Sequence, residues 1–245
     1  MIGTRVIAYD TVDSTNNVLK SLADSLPSGS VAWATEQTAG RGRFGRYWHS
    51  PKGGLWFSVL FKHRTQSFEP HYYVVLFSVA IVRFLKRKFK INAGIKWPND
   101  IYVGTKKLAG ILVESVISGK NTVIIVGIGM NVNNEIPPDL KSKAVSLKEL
   151  LGHDVDLSLV FDGIVSTANV LYLKYMIKDK KKYLVRIWKG YQLLTPGSRL
   201  WVRIGDEEER EATLVDITPN ALTLDLGGEQ RTLFSLEVLR WENTG

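Results

Sequence analysis

Long apolar runs broken by polar turns dominate the chain up to about residue 190, and short alternating segments follow. Residues 6–9 and 31–36 carry strand patterns. Between them, Asp13-Ser14-Thr15-Asn16 supplies helix-capping side chains ahead of Val18, Leu19 and Leu22, which predicts a short helix ended by Pro27-Ser28-Gly29. Residues 54–61, GLWFSVLF, form a continuous apolar and aromatic run, the pattern of a strand buried on both faces. Residues 70–88 predict a long amphipathic helix with a basic end. Short strands are expected at 95–97, stopped by Pro98, and at 101–103, followed by a turn at Gly104-Thr105. Residues 107–114 and 122–132 pair as a hairpin around Ser118-Gly119-Lys120, and a loop at 134–139 follows. Ser146 is placed to cap a helix at 147–151. Leu159, Val160, Ile164, Val165, Ala168 and Leu171 recur at helical spacing within 157–177, and a further helix is expected over 180–194.

The pattern changes at Thr195-Pro196-Gly197. Five short segments follow, at 199–204, 210–217, 222–226, 231–234 and 237–241, with turns at Gly205-Asp206, Pro219-Asn220 and Gly227-Gly228. Such spacing predicts a small barrel. Strands are grouped together with helices at either end rather than alternating one by one, so the fold class is α+β. The expected division is a mixed-sheet domain packed with helices over 1–189 and a small β-domain over 190–245.

Composition narrows the chemistry. With 245 residues, 44% of them hydrophobic, the chain can bury a large core and carry one large domain plus a small one. It has no cysteine, which excludes disulfides, thiolate zinc sites and cysteine nucleophiles. His49, His63, His71 and His153 show neither metal-ligand spacing nor a paired acid. The longest uncharged apolar run, 72–82, is shorter than the roughly 18 residues of a membrane span, and the first residues lack the pattern of a secretory signal. A soluble cytoplasmic protein with no membrane partner is the expectation. The net charge of +8 points to an anionic ligand or to nucleic acid, although no zinc-finger spacing or aromatic RNA-binding string supports the latter. Residues 206–211 form an acidic loop against this background.

The basic charge concentrates in Gly40-Arg41-Gly42-Arg43-Phe44-Gly45-Arg46-Tyr47-Trp48, where three arginines and three glycines share seven consecutive positions. Residues 37–68 contain no acid. Glycine lets a backbone approach a ligand closely, and arginine brings a permanent charge and a planar fork of donors suited to carboxylate and phosphate. A segment that repels itself in this way is expected to close on an anion, with Trp48 offering a flat face to a base. The string also fits G-x-G-x-x-G, but no helix and no acid at the required spacing follow, so it is not a dinucleotide fingerprint.

Lys96 and Lys107 fall at strand ends beside Asn99-Asp100 and Gly110. Lysines beside a nucleotide and a carboxylate neutralise charge that develops during phosphoryl or nucleotidyl transfer. Asp100 can hold magnesium or accept a proton, or serve only as a turn residue; Lys107 taken alone reads equally as a solvated hairpin lysine. In residues 127–133, GIGMNVN, small glycines leave room for a ligand, and Asn131 can bond a ribose or phosphate or simply close the strand end. Ser14, Thr15 and Asn16 read as either caps or ligand contacts. The residues themselves lead to an ATP-using enzyme with a small, partly apolar acid as co-substrate, or to a basic nucleic-acid-binding module.

Taken together, Ser14-Thr15-Asn16, GRGRFGRYW at 40–48, KWPND at 96–100, KLAGILVE at 107–114 and GIGMNVN at 127–133 resemble the biotin–protein ligases in order and spacing, over nearly the whole chain. The resemblance implies a class II synthetase-like α+β fold with an SH3-like C-terminal β-barrel. It implies activation of biotin by Mg-ATP (ATP, biotin and Mg2+) to biotinyl-5′-AMP, then transfer to a lysine of an apo biotin carboxyl carrier domain. Ser14, Thr15, Asn16 and Gln37 would bond the ureido ring. Gly40, Arg41, Gly42 and Arg43 would wrap the carboxylate and α-phosphate, Arg46 would reach the outer phosphates and Trp48 would stack on adenine. Lys107 would stabilise the transferring phosphate. Lys96, Asn99, Asp100 and Gly110 would complete the phosphate, metal and acceptor region, and Asn131 would touch the nucleotide. Trp56 and Val113 are expected in the apolar pocket. A lipoate–protein ligase is the nearest rival. Some relatives carry an N-terminal DNA-binding domain; here the Ser-Thr-Asn motif starts close to the first residue, so a ligase without DNA binding is expected, and a homodimer is compatible with the resemblance.

Overall fold

The computed structural model describes residues 1–64, 69–118, 121–205 and 207–243. Gly119 and Lys120 of the expected hairpin turn, and Asp206 of the expected acidic loop, lie outside the described residues. The main sheet has seven strands: β1 (Val6–Val12), β2 (Val31–Gln37), β3 (Leu55–His63), β4 (Gly94–Lys96), β5 (Asp100–Val103), β6 (Lys106–Ser118) and β7 (Asn121–Met130). They run in the order β1-β2-β3-β7-β6-β5-β4. Only β1 and β2 pair parallel; the remaining neighbours are antiparallel, so the sheet is mixed.

The helices are α1 (Thr15–Ser21), α2 (His71–Phe89), α3 (Leu147–Leu151), α4 (Leu157–Leu171) and α5 (Lys181–Lys189). Helix α2 is the hub of one face. It packs against α4, α5 and the sheet, and Tyr73, Leu76, Phe77, Ala80, Ile81 and Leu85 are all fully buried. Phe161 of α4 meets Trp33 of β2 and Phe57 of β3 at ring-centroid distances of 4.9 and 5.1 Å. Helix α1 covers the other face, its Leu19 packing on Ala32, Leu60 and Ile125. This explains the unbroken apolar run of β3: its first seven residues are buried because both faces are covered. Residues Leu157–Met176 have the length and apolarity of a membrane span, yet Val160, Phe161, Ile164, Val165 and Ala168 are buried in this core.

Two local expectations change. Ser14 sits at the N-cap of α1 but makes no capping bond, and the Thr15 and Asn16 side chains that follow bond to the sheet residues Ser58 and Glu114. Ser146, by contrast, caps α3 in a full capping box with Glu149. The helix expected over 180–194 ends at Lys189: Ile95 N–H donates to Tyr191 O at 2.8 Å and Leu193 N–H to Ile95 O at 2.9 Å, so the chain beyond Gly190 borders β4.

The C-terminal strands are β8 (Arg199–Arg203), β9 (Arg210–Ile217), β10 (Leu222–Asp225), β11 (Gln230–Leu233) and β12 (Glu237–Glu242). They form an antiparallel sheet in the order β11-β10-β9-β8-β12. Its two edge strands do not pair among the described residues, so the five strands of the expected SH3-like unit form an open sheet, not a closed barrel. Leu200, Val202, Leu214 and Leu222 join the same hydrophobic cluster as the main sheet.

Gly163 marks the closest approach of α4 to α2. A Cβ there would lie 2.0 Å from the Phe84 ring. Glycine-to-alanine inside a helix ordinarily gains about 1 kcal/mol, but overpacking costs about 1–3 kcal/mol, and at 2.0 Å the clash should win. Gly163→Ala is therefore expected to lower unfolding free energy by about 1–2 kcal/mol in urea denaturation; a more stable variant would contradict this packing.

Candidate active site

The sheet face beneath α1 has a floor stripped of side chains. Cross-strand register places Gly110 of β6, Gly129 of β7 and Trp56 of β3 in one row, and Leu112, Gly127 and Ser58 in the next. A Cβ at Gly127 would lie 2.5 Å from Asn16 Oδ1, and one at Gly129 2.6 Å from Trp48 Nε1. Glycine is needed here because other elements lie directly on the sheet.

One end of this floor is polar. Ser14, Thr15 and Asn16, at the start of α1, are all buried. Thr15 N–H donates to Gln37 Oε1 at 2.9 Å, and Thr15 Oγ1 lies 2.6 Å from Ser58 Oγ. Ser58 donates to Asn16 Oδ1 at 2.6 Å, and Asn16 Nδ2 donates to Glu114 Oε2 at 2.5 Å. Gln37 Nε2 donates to Ser50 Oγ at 2.9 Å, which donates onward to Trp48 O at 3.0 Å. Hydroxyl and amide groups that the sequence offers as caps are thus assembled into a continuous network.

The Arg/Gly segment forms the roof. It folds back through Gly42 N–H to Arg46 O at 2.8 Å and Trp48 N–H to Gly40 O at 2.9 Å, around a single turn at Arg43–Gly45. Gly40 does not line the cavity; it closes the loop's base, where a Cβ would lie 2.5 Å from Trp48 O. Each arginine has a different partner. Arg41 donates to Asn17 Oδ1 at 2.7 Å and lies 3.8 Å from Glu114. The Arg43 guanidinium is 4.7 Å from the Phe44 ring centroid and 5.9 Å from that of Trp97. Arg46 pairs with Glu237 of β12. Trp48 lies over Gly110 and Gly129 with its indole N–H buried and unbonded.

A cationic wall faces this roof. Lys107 Nζ is 4.8 Å from the Trp48 ring centroid and 2.7 Å from Asp100 Oδ1, a contact with ion-pair distance but without hydrogen-bond alignment. Lys96 Nζ lies 5.4 and 5.0 Å from the rings of Tyr102 and Trp241. Burial, reinforced by the charges of Lys107 and Arg46 and opposed by Asp100, holds Lys96 below the ordinary lysine pKa. Burial likewise lowers Arg43, with Arg46 adding to the shift and Asp100 opposing it. Asn99 Nδ2 donates to Ile111 O at 2.8 Å, fixing the loop to β6. Asn131 is buried and accepts from Asn134 Nδ2 at 3.1 Å. Among the described residues no three His, Cys, Asp or Glu side chains are grouped to hold a metal. Asp100 offers one carboxylate, already facing Lys107, and does not by itself build a metal site.

These surfaces enclose one cavity of about 400 Å3, within the range of small-molecule sites. Ser14, Thr15, Asn16 and Gln37 line its polar end. Arg41, Gly42, Arg43, Arg46 and Trp48 line the roof, and Lys96, Asn99, Asp100, Lys107, Gly110 and Asn131 the opposite wall. The apolar lining differs from expectation. Trp56 is fully buried with Nε1 donating to Pro51 O at 2.9 Å, and Val113 packs against the α2 core on the other sheet face. Ile111, Leu112, Ile128 and Ile136 supply it instead. The second sheet adds Leu236, Glu237 and Val238. Trp97 Nε1 donates to Thr218 O at 2.9 Å and ties the two sheets together beside the site. Glu114 closes the KLAGILVE motif but was given no role by the sequence, and Ser58 and Glu237 lie in none of the motifs; tertiary contact reveals all three.

Residues 8–131 match the model of the biotin/lipoate A/B protein ligase family. The bifunctional ligase/repressor BirA of Bacillus subtilis is 34% identical over 199 residues, covering 79% of this chain and 61% of the relative. The chain therefore spans about three fifths of that relative's length. The human biotin–protein ligase is 33% identical over 149 residues, covering 56% of this chain and 20% of that protein. The Aquifex aeolicus biotin protein ligase, solved in complex with biotin and ATP, superposes with a TM-score of 0.80 at 29% identity, over 96% of this chain and 99% of that chain.

The lowered pKa of Lys96 gives a pH test. The folded chain binds that proton more weakly than the unfolded chain, so this group's contribution to stability rises as pH increases through the folded value toward 10.5. A polyanion at the wall reverses the preference and recruits the proton. Titration calorimetry with pyrophosphate in alkaline buffers of different ionisation enthalpy should show proton uptake, which Lys96→Met should remove. Uptake that persists in the variant would contradict the assignment.

Proposed function

The chain belongs to the biotin/lipoate A/B protein ligase family, and on that premise we propose that it is an ATP-dependent biotin–protein ligase. Residues 1–189 would be its catalytic domain and 190–245 its C-terminal domain. The observation that carries this reading is a single cavity with three chemistries in sequence: buried hydroxyls and amides, an apolar middle and a wall of cations. Biotin has the same order, with a urea edge, a ring and valeryl chain, and a carboxylate.

In this reading Ser14, Thr15, Asn16 and Gln37 bind the urea. Ile111, Leu112 and Ile128 flank the chain, and the carboxylate points to Arg41, Arg43 and Lys107. ATP enters beneath the Arg/Gly roof, as its magnesium complex, with adenine on Trp48, Asn131 at the nucleotide and the outer phosphates at Arg46 and Lys96. A carboxylate and a triphosphate repel each other; fixed cations in a partly desolvated site offset that repulsion and cost no reorganisation during reaction. The carboxylate oxygen attacks the α-phosphorus, the bond to the β-phosphate oxygen breaks, and pyrophosphate leaves. The neutral amine of a carrier-domain lysine then attacks the acyl carbon, AMP departs and an amide forms. Asp100 is positioned to orient Lys107 in the first step. The roof excludes water from the mixed anhydride between the steps.

A lipoate ligase would leave the polar end without ring N–H partners, and a nucleic-acid module would leave the apolar middle unused. Incubation with biotin, Mg-ATP and an apo carrier domain should add one biotinyl group to a single carrier lysine, read by mass spectrometry. Lys107→Ala should slow pyrophosphate release by about a hundredfold or more while changing biotin affinity only a few-fold. An unmodified carrier would reject the reaction, and an undiminished release rate would remove Lys107 from its role.

A further inference from the structure

The hydrogen bonds behind the polar end run in one direction, and their terminus is an acid. An ionised carboxylate only accepts. Glu114 Oε1 takes the Lys20 ammonium at 2.6 Å, leaving Oε2 for Asn16 Nδ2 at 2.5 Å. The Asn16 amide nitrogen must therefore face the acid, and Oδ1 must face away. That oxygen takes the Ser58 proton at 2.6 Å. Ser58, with its single proton committed, accepts from Thr15 Oγ1 at 2.6 Å. The alternative destination for the Thr15 proton, Gln37 Oε1, is farther away at 3.1 Å. Gln37 is oriented from its other side, since Nε2 donates to Ser50, so Oε1 faces Thr15 and the cavity end.

The result is a polar end whose oxygens are turned toward a ligand as acceptors. Thr15, Asn16 and Ser58 are 3%, 4% and 0% exposed, so water does not blur the pattern. Half burial would by itself raise the Glu114 pKa, but hydrogen bonds from Lys20 and Asn16 and the charges of Lys20 and Arg41 outweigh it and hold the carboxyl below its ordinary value. Glu114 thus stays an acceptor at neutral pH. It does not line the cavity and acts only through Asn16 and Ser58.

We propose that Glu114 is a positioning residue that sets substrate specificity: it fixes the hydrogen-bond direction through Asn16, Ser58 and Thr15, so that the site selects a ring acid bearing N–H donors, a cyclic urea, over a ring acid without them. This rests on the biotin-ligase reading. It locates the choice between the two substrate classes of the family in a side chain outside the cavity. Buried acceptors left without a donor are costly, and sites built to hydrogen-bond a substrate reject analogues lacking the partner strongly.

The test is titration calorimetry of the full chain with three probes: biotin, biotin methylated on its urea nitrogens, and lipoate. The parent should prefer biotin over either N–H-free ring by about a hundredfold or more. In Glu114→Gln the acceptor becomes an amide that can also donate, Asn16 can turn over and the chain can reverse. Biotin affinity should fall about ten- to hundredfold while lipoate affinity holds, so the preference collapses. Ser58→Ala interrupts the chain without altering the acid and should narrow the same ratio; it carries the test alone if Glu114→Gln does not fold. Variants that keep the parent's preference, or that weaken all three ligands equally, would overturn this inference while leaving the ligase reading intact. A parent that binds no biotin would overturn the ligase reading and this inference with it.

Discussion

Positive charge brought together faster than it is neutralised governs this molecule. Arg41, Arg43, Arg46, Lys96 and Lys107 border one cavity whose lining, among the described residues, contains two carboxylates, Asp100 and Glu237. Burial holds Lys96 and Arg43 below their ordinary pKa values, the direction expected for charges held partly out of water. The other three have partners at hand: Asn17 for Arg41, Glu237 of the second sheet for Arg46, and Asp100 with the Trp48 ring for Lys107. An anion placed among these groups would offset their mutual repulsion. The rest of the fold supplies rigidity. A sheet clamped between α1 and the α2–α4–α5 layer holds the glycine floor and the lysine wall in place.

The second sheet belongs to the same problem. Glu237 reaches Arg46, Trp241 helps cover Lys96, and Thr218 O accepts from Trp97. Each contact falls on a segment that also borders the cavity. The open edges of the sheet are compatible with this bracing role, since its buried residues join the core of the main sheet. At the opposite end of the cavity, an ordered chain of neutral donors and acceptors ends on Glu114. Charge is concentrated at one end of the cavity and directed neutral hydrogen bonds at the other.

Much of this was legible in the sequence. Apolar patterning and turn signals located β3, α2, the β6–β7 pair and the five C-terminal strands: β3 as an unbroken buried run, α2 by a 3.6-residue repeat, and the short strands by the turns between them. The roof was legible because alternating arginine and glycine has few uses other than binding anions. What could not be read required knowing what lies across a strand. Ser14, Thr15 and Asn16 fit the capping pattern equally well, and only the nearness of Ser58 and Glu114 decides against it. Trp56 looked like a pocket aromatic, yet it is sealed beneath Gly54 and Pro51. The helix expected to run past Lys189 stops because residues 191–193 are taken by the edge of β4, a contact with Ile95 from far earlier in the chain. Gly40 closes the base of the loop and does not itself line the cavity.

The central claim is that the cationic roof and wall join two mutually repelling anions and retain the product. The most direct measurement is the pyrophosphate burst in a rapid mix of the purified chain with biotin and Mg-ATP, without any carrier. The account predicts a burst of about one pyrophosphate per chain, with the biotinyl adenylate still bound after gel filtration. Pyrophosphate release that needs the carrier from the outset, or a burst that leaves no adenylate on the protein, would contradict it.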